Sequence, residues 1–296
     1  MTAPDVPDVL TLYMMDHGDI DLFYLDKPRD EIVTPNQLDD WLDRLEEAVL
    51  GIKINVIIEA CHAGSFIQAP NSISGPNRMI ITSSDEENDA YASPSGAHFS
   101  DHFLTALREG DNLLSSWSRA KEVVEELFVI FPQRPWIDGD GNGTPNELSD
   151  FVEASRRGFA YAGTLGTETL WPPYIAQVTA PESLAENSGQ ISAEVRDDRG
   201  VSHVWAVVYP PSYVPSRSEE GNELLDEDLE QIRLTHKGDD IYRGRAYNFT
   251  ESGTYRIAIH ADDDHGLLAR PVVVEFNTAF VRGPSGLHVF LPLISR

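Results

Sequence analysis

Two residue types capable of nucleophilic catalysis follow two apolar segments of this chain. His17, with Gly18 after it, follows VLTLYMM (9–15), and Cys61 follows INVII (54–58) within VIIEACHAGS. A thiol, whose pKa is about 8.5, becomes a nucleophile at neutral pH when an imidazole takes its proton or stabilises its thiolate. Because the chain has a single cysteine, an intrachain disulfide and a multi-cysteine metal site are excluded. The thiol is then either buried and apolar or reactive.

The elements around these residues predict how they are brought together. Both apolar runs have strand length and no alternation, as in parallel strands covered on both faces. A helix is predicted between them, since Thr34 is a suitable N-cap, Pro35 suits the first turn and Gln37 closes a capping box. Its predicted apolar face consists of Leu38, Trp41, Leu42, Leu45 and Val49. A strand over 78–82 and helices near 100–108 and 113–130 complete an α/β sheet with right-handed crossovers.

The carboxyl ends of adjacent parallel strands lie at one edge of such a sheet, which is where active sites form. His17 and Cys61 are therefore expected to face each other across a cleft. Gly18 lets its backbone N–H approach a substrate carbonyl, and with the N–H of Cys61 it could form an oxyanion hole. Gly64 is expected to allow a sharp turn behind the nucleophile.

The segments MDHG (15–18) and EACHAGS (59–65) together resemble the legumain-like cysteine peptidases, relatives of caspases, gingipains and clostripain. In that family one apolar strand ends in His-Gly, and the next ends in an acidic or amide residue, Ala, Cys, any residue, and Gly or Ser-Gly. The resemblance extends over about residues 8–165, and IITSSDEENDAYA (80–92) is similar to the third strand and the loop closing the specificity pocket. It implies a caspase-like fold and an endopeptidase that needs no cofactor and acts on proteins or peptides. His17 would be general base and then acid, and Cys61 would form the acyl-enzyme.

The same resemblance assigns Glu59, Asp89 and Asp101 to the primary specificity pocket. Three carboxylates in a partly desolvated pocket favour an Arg or Lys side chain before the scissile bond. Glu59 lies inside the motif, whereas Asp89 and Asp101 have alternatives as a solvated loop carboxylate and a helix-start acid. His62 and His98 have no counterpart in the family and are expected at surface or rim positions.

The family normally has a strand, a helix and another strand before the His-bearing strand. Here about eight residues precede that strand. The peptidase domain is therefore expected either to be truncated at its N-terminus in this sequence or to have its sheet completed by a partner or upstream segment.

The pattern changes after about residue 170, where WPP precedes short alternating strands. Seven strands are predicted, near 174–179, 189–196, 201–209, 231–235, 240–247, 253–261 and 270–277. This number and spacing favour an all-β immunoglobulin-like sandwich over 173–280, following a peptidase domain over 1–168 and preceding a tail over 281–296. The acidic segment 218–231 is predicted to be a solvated insertion loop.

The motif DGDGNGTPNE (138–147) places Asp138, Asp140 and Asn142 like the start of an EF-hand calcium loop. Ser149 stands where the bidentate acid is expected, so a polar Gly-rich turn is the favoured interpretation and calcium the alternative.

Composition excludes some classes of function. The net charge of −27 argues against binding to nucleic acid, and no stretch reaches the roughly 20 apolar residues needed for membrane insertion. The segment GLHVFLPLISR (286–296) resembles tails of exported bacterial proteins, which indicates a secreted or cell-surface bacterial protein. Two alternatives to a peptidase remain: a non-catalytic adhesion or scaffold protein with a vestigial peptidase half, and a transpeptidase using the same dyad.

Overall fold

The computed structural model describes residues 9–93, 96–158, 171–182, 184, 187–217, 224–225, 229–282 and 288–290. The chain divides into two compact units. The first unit comprises Met1–Thr169 and Ser216–Leu225, and the second comprises Leu170–Pro215 and Asp226–Arg296. Within the described ranges, no helix has the length and apolar character needed to cross a membrane.

The first unit is built on a four-stranded sheet with helices. In chain order its elements are β1 Val9–Met15, β2 Gly18–Asp19, β3 Leu22–Asp26, β4 Glu31–Val33, α1 Pro35–Ala48, β5 Lys53–Glu59, β6 Arg78–Thr82, β7 Ala92–Ser93, β8 Gly96–Ala97, α2 His98–Arg108, α3 Leu113–Leu127, β9 Trp136–Asp138 and α4 Leu148–Ala154. The sheet order is β1-β5-β6-β9. The first three strands are parallel, as the sequence predicts, and β9 is antiparallel to β6.

The register of β1 and β5 sets the position of the candidate catalytic residues. Met15 pairs with Glu59, and the N–H of Asp16 donates to the carbonyl oxygen of Glu59 at 3.2 Å. His17 and Cys61 each follow the last pair of the ladder by two residues. The parallel register therefore brings them out at the same edge of the sheet.

Helix α1 begins as its capping box predicts. The N–H of Gln37 donates to Thr34 Oγ1, and the N–H of Thr34 donates to Gln37 Oε1. Leu38 and Leu42 are buried in the core. Trp41 is half exposed, at 50%, so its expected place on the buried face is wrong. Trp41 lies at the edge of the apolar face of α1, and Leu38 and Leu42 form the buried part of that face.

A buried arginine joins the start of β6 to α1. The guanidinium of Arg78 forms ion pairs with Asp39 at 2.5 Å, Asp43 at 2.5 Å and Glu46 at 2.7 Å. These acids follow one another on one face of the helix, where they would repel each other without a cation. Arg78 thus fixes that helix face over the end of the sheet away from the cleft.

Three short strands between β1 and α1 are absent from the sequence prediction. β2, β3 and β4 form an antiparallel sheet in which Gly18 pairs with Phe23 and Phe23 pairs with Val33. Phe23 and Val33 are buried in the core that also contains Leu38. The strands are too short, at two to five residues, to show a clear alternation.

The second unit contains two four-stranded antiparallel sheets around one apolar core. Its elements are β10 Tyr174–Thr179, β11 Gly189–Arg196, β12 Val201–Tyr209, β15 Glu230–Arg233, β16 Thr235–His236, β17 Ile241–Ala246, β18 Gly253–Asp263 and β19 Val272–Thr278. The sheet orders are β10-β11-β17-β16 and β15-β12-β18-β19. Ile191, Val204 and Ile257 are among the buried residues through which both sheets contact each other. The strands follow the predicted positions closely, while the immunoglobulin-like assignment stays a prediction.

The remaining strands are short pairs. β13 Ser216–Arg217 pairs with β14 Leu224–Leu225, and β20 Phe280–Arg282 pairs with β21 His288–Phe290. Residues 218–223 and 226–228 of the predicted acidic loop lie outside the described residues. The same holds for 283–287 and 291–296 of the predicted tail.

Candidate active site

A cleft lies at the carboxyl ends of β1 and β5. It is lined by residues 15–17 at the end of β1, 59–61 at the end of β5, and 90–92 and 96–97 from the segment leading into α2. His17, Glu59 and Cys61 therefore line one cleft. It lies at the carboxyl ends of β1 and β5, where the sequence predicts that His17 and Cys61 meet.

Gly18 allows the two strand ends to approach closely. A Cβ atom at this position would lie 2.5 Å from the carbonyl oxygen of Cys61 and 2.8 Å from Ala60 Cβ. Real Cβ atoms do not approach other atoms so closely, and a neighbouring backbone cannot move aside as a flexible side chain would. Glycine is therefore required at position 18 because the His17–Gly18 backbone closely approaches residues 60–61. These residues begin the turn over 60–66, called the nucleophile turn below because it carries the nucleophile predicted from the sequence.

Cys61 is buried, with 6% of its surface exposed, and its sulfur contacts the backbone of Ala90. The N–H of Ala90 lies 3.4 Å from Cys61 Sγ, and the Ala90 carbonyl oxygen lies 3.7 Å from the same sulfur. The first contact, in which an N–H donates to sulfur, favours the thiolate, whereas the longer second contact, in which the thiol donates to a carbonyl oxygen, favours the thiol.

The chain turns at His62, not at Gly64 as the sequence indicates. His62 has a φ of 55°, in the left-handed region, and Ala63–Phe66 follow as a 3-10 turn. A Cβ atom on Gly64 would lie 2.6 Å from the carbonyl carbon of Asp85. Gly64 is thus needed for close packing of the nucleophile turn against the segment after β6.

Glu59 lies at the bottom of the cleft beside the start of α2. It is 3% exposed, and its Oε2 accepts hydrogen bonds from the N–H of Ser100 at 2.8 Å and from Ser100 Oγ at 2.6 Å. Because the N-cap residue Ala97 has no capping side chain, Glu59 performs that function from the neighbouring strand. Burial raises the pKa of Glu59 to about 7, against the lowering effect of the Ser100 bonds.

A buried hydroxyl chain extends from Glu59. Tyr13 Oη donates to Ser100 Oγ at 2.7 Å, and Ser100 Oγ donates in turn to Glu59. Burial, followed by the charge of Glu59, raises the pKa of Tyr13. The sequence analysis missed Tyr13 and Ser100, although a helix start without a capping side chain is a signal that an outside acceptor must be present.

The other two predicted pocket acids occupy different surroundings. Asp101 Oδ2 accepts a hydrogen bond from Ser93 Oγ at 2.5 Å. Asp101 Oδ1 lies close to Gly96, which lines the cleft: a Cβ atom added to Gly96 would be 3.8 Å from this oxygen. Asp89 lies with its Oδ1 at 3.4 Å from His62 Nε2 and is not among the described residues that line the cleft.

The two histidines expected at the surface or rim differ from each other. His98 is buried, at 7% exposure, and packs edge-on against Phe128. His62 is only partly buried and binds the segment after β6. The surface expectation is therefore wrong for His98, because its place at the start of α2 turns it toward the core.

The predicted calcium loop is a closed polar turn. Asp138 Oδ1 accepts from the N–H groups of Gly141 and Asn142, and Asp138 Oδ2 accepts from Ser74 Oγ. Oxygen atoms of Asp138, Asp140 and Asp150 lie within 4.8 Å of one another, so Asp150 joins the first two acids of the motif. Asn142 Oδ1 instead accepts from the N–H of Thr144. Calcium binding stays a prediction.

Residues 4–125 match the model of the Peptidase C13 family. This match covers both strand ends of the cleft and supports a legumain-like cysteine peptidase with a caspase-like fold and a protein substrate. No curated protein matches the chain.

Solved structures give only distant likenesses. Chitinase ChiW from Paenibacillus sp. str. FPU-7 is 12% identical with a TM-score of 0.27, over 44% of this chain and 11% of the chitinase chain. Wild-type OgpA from Akkermansia muciniphila is 12% identical with a TM-score of 0.28, over 81% of this chain and 71% of its own. Catalytically inactive OgpA with an O-glycopeptide substrate is 10% identical, with a TM-score of 0.25 over 81% and 69%. These scores are too low to establish a common fold.

Proposed function

We propose that the first unit is a cysteine endopeptidase that acts through a His17–Cys61 dyad. The observation that carries this proposal is that the imidazole and the thiol line the same cleft at paired strand ends, within the segment that matches the Peptidase C13 family. His17 would take the thiol proton, and Cys61 Sγ would attack the scissile carbonyl. The N–H groups of Gly18 and Cys61 would hold the oxyanion. His17 would then protonate the leaving amine, and water would release the acyl group from Cys61.

We further propose that this peptidase cleaves after Arg or Lys. Glu59 supports this preference because it lines the cleft, and Asp101 lies beside Gly96, another residue of the cleft lining. Glu59 Oε1 is buried and makes no hydrogen bond of normal length to the described residues, so it would accept from a cationic side chain that reaches this depth. A guanidinium could use it together with the charge of Asp101.

The catalytic test uses single variants. Cys61→Ala and His17→Ala should each abolish peptide cleavage, with losses nearly as large as that of the double variant, because the two residues act as a unit. His236→Ala, which changes an exposed histidine of the second unit, is the matched control and should retain full activity. Cleavage by Cys61→Ala at the rate of the unchanged protein would contradict the mechanism.

The specificity test uses fluorogenic peptides that differ only in the residue before the scissile bond. Arg and Lys peptides should be cleaved with higher kcat/KM than Asn, Asp or Gln peptides. Glu59→Gln should reduce the Arg preference, since losing one partner of a desolvated charge pair costs about 2–5 kcal/mol. Equal cleavage after Asn and Arg would contradict the acidic pocket and leave the dyad untouched.

A further inference from the structure

His62 connects the nucleophile turn to the segment after β6 at several points. Its N–H donates to the carbonyl oxygen of Asn88 at 3.0 Å, and its ring lies between Glu86 and Asp89. Its own carbonyl accepts from the N–H of Ser65 at 3.0 Å and from Ser65 Oγ at 2.7 Å. The residue next to the nucleophile therefore holds both the turn and residues 86–89.

The ring contacts of His62 specify its protonation state. Nδ1 lies 2.9 Å from the carbonyl oxygen of Glu86, which can only accept, so Nδ1 carries a hydrogen. Nε2 faces the carboxylate of Asp89 at 3.4 Å and satisfies it only if it also carries a hydrogen. Both contacts together require the imidazolium.

The charges facing this ring favour the imidazolium. The bond to Asp89 raises the pKa of His62 most, against the lowering effect of burial, and the charge of Asp19 on β2 raises it further. After burial, the charges of Glu87, Asp85 and Asp21 raise the pKa of Glu86, whose carbonyl oxygen contacts the ring. Because the charged form is favoured, the imidazolium contacts are present below the raised pKa of His62 and are lost as the pH rises through it.

We propose that His62, as an imidazolium bound to Asp89 and the Glu86 carbonyl, is a positioning residue that holds the N–H of Ala90 against Cys61 Sγ and thereby stabilises the thiolate. Ala90 follows Asp89 directly, so the contact at Asp89 fixes the peptide group that reaches the sulfur at 3.4 Å. This inference rests on the proposed role of Cys61 as nucleophile. Three groups then act on Cys61: the His17 imidazole, the oxyanion donors, and the Ala90 N–H positioned by His62.

The test measures the rate of Cys61 alkylation by iodoacetamide in the full chain as a function of pH. Cys61 is the chain's only thiol, so the incorporated label reports on it alone. His62→Gln and Asp89→Asn should each raise the pH of half-maximal rate by about one unit, which makes alkylation about tenfold slower below that pH. The double variant should match the single ones because the pair acts as a unit. At alkaline pH, where every form is ionised, the rates should converge.

Glu87→Gln is the matched control, because Glu87 is an exposed carboxylate of the same segment, and it should leave the profile unchanged. A uniform change of rate at every pH would indicate a merely structural role for His62 and would overturn the inference, as would identical profiles for Asp89→Asn and Glu87→Gln. If His62→Gln fails to fold, Asp89→Asn still decides the result.

His17→Ala separates this inference from the proposed function. If His17→Ala changes the profile but Asp89→Asn does not, the positioning role of His62 is wrong and the dyad stands. If neither His17→Ala nor Asp89→Asn changes it, the dyad is wrong as well.

Discussion

Glu59 is buried between the end of β5 and the first turn of α2, and this position governs when it carries a charge. In water a glutamic acid loses its proton near pH 4.5, whereas burial raises the pKa of Glu59 to about 7. Between these two values the folded protein binds a proton that the unfolded chain has released. The free energy of unfolding therefore falls as the pH rises through this range.

We expect this group to contribute a loss of about 3 kcal/mol in the free energy of unfolding between pH 4.5 and 8, from the 2.5-unit difference between the ordinary pKa of 4.5 and about 7. Glu59→Gln should remove that part of the pH dependence, because an amide does not titrate. Denaturant unfolding at several pH values, with Glu87→Gln as the exposed control, would measure it. Parallel curves for Glu59→Gln and the unchanged protein would contradict the assignment.

At the residue scale, the sequence predicts that His17 and Cys61 lie at one sheet edge and misses the residues that surround them. His17 and Cys61 could be placed in one cleft because parallel strand ends meet at one edge and both residues follow apolar runs of strand length. His62, Asp89 and Ala90 could not, since their contacts depend on the left-handed backbone of His62 and on the course of residues 85–90. Neither feature has a distinctive residue pattern.

At the scale of elements, β2 closely approaches the nucleophile turn at the cleft. Gly18→Ala would place a methyl group 2.5 Å from the Cys61 carbonyl oxygen, so the His17 strand end must shift. We expect a loss of at least about 100-fold in kcat, as for other displacements of about 1 Å at a reacting group, together with about 1–3 kcal/mol of stability. Peptide cleavage and thermal unfolding would measure both effects.

Ile20→Ala, at an exposed position of the adjoining turn, is the control for Gly18→Ala. It should leave kcat within a few-fold of the unchanged protein. If Gly18→Ala retained full activity, the close approach of the two strand ends would not be needed for catalysis.

Helices and strands could be predicted from the sequence where a local residue pattern agrees with which residues are buried. The capping box of Thr34 and Gln37 marks the start of α1, and unbroken apolar runs mark β1, β5 and β6. The sheet of β2, β3 and β4 was missed because its buried residues, Phe23 and Val33, belong to strands too short to show a period. Tertiary packing, rather than local propensity, defines those strands.

At the scale of the whole molecule, the second unit has a core of its own. The buried residues from Ile175 to Phe276 that join its two sheets all lie within 173–280. We therefore expect 173–280, expressed alone, to unfold cooperatively in denaturant. Phe249→Ala should cost this fragment about 3–5 kcal/mol, because Phe249 is fully buried beside Tyr255 and Phe276.

Tyr247→Ala, at a position 54% exposed, is the matched control and should change the free energy of unfolding little. A gradual transition, or equal effects of Phe249→Ala and Tyr247→Ala, would show that the fragment is not an independent folding unit.

If the cleft binds a basic side chain as we propose, the proton on Glu59 links this binding to the pH of the solution. Near neutral pH this carboxyl group exists in both forms, and a cation entering the cleft favours the ionised one. A basic side chain would therefore displace a fraction of a proton into the buffer on binding, while a neutral side chain would displace none. The heat of binding would include the ionisation enthalpy of the buffer for basic peptides alone. Discrimination in their favour would be weakest in acidic surroundings and would increase as the medium becomes neutral.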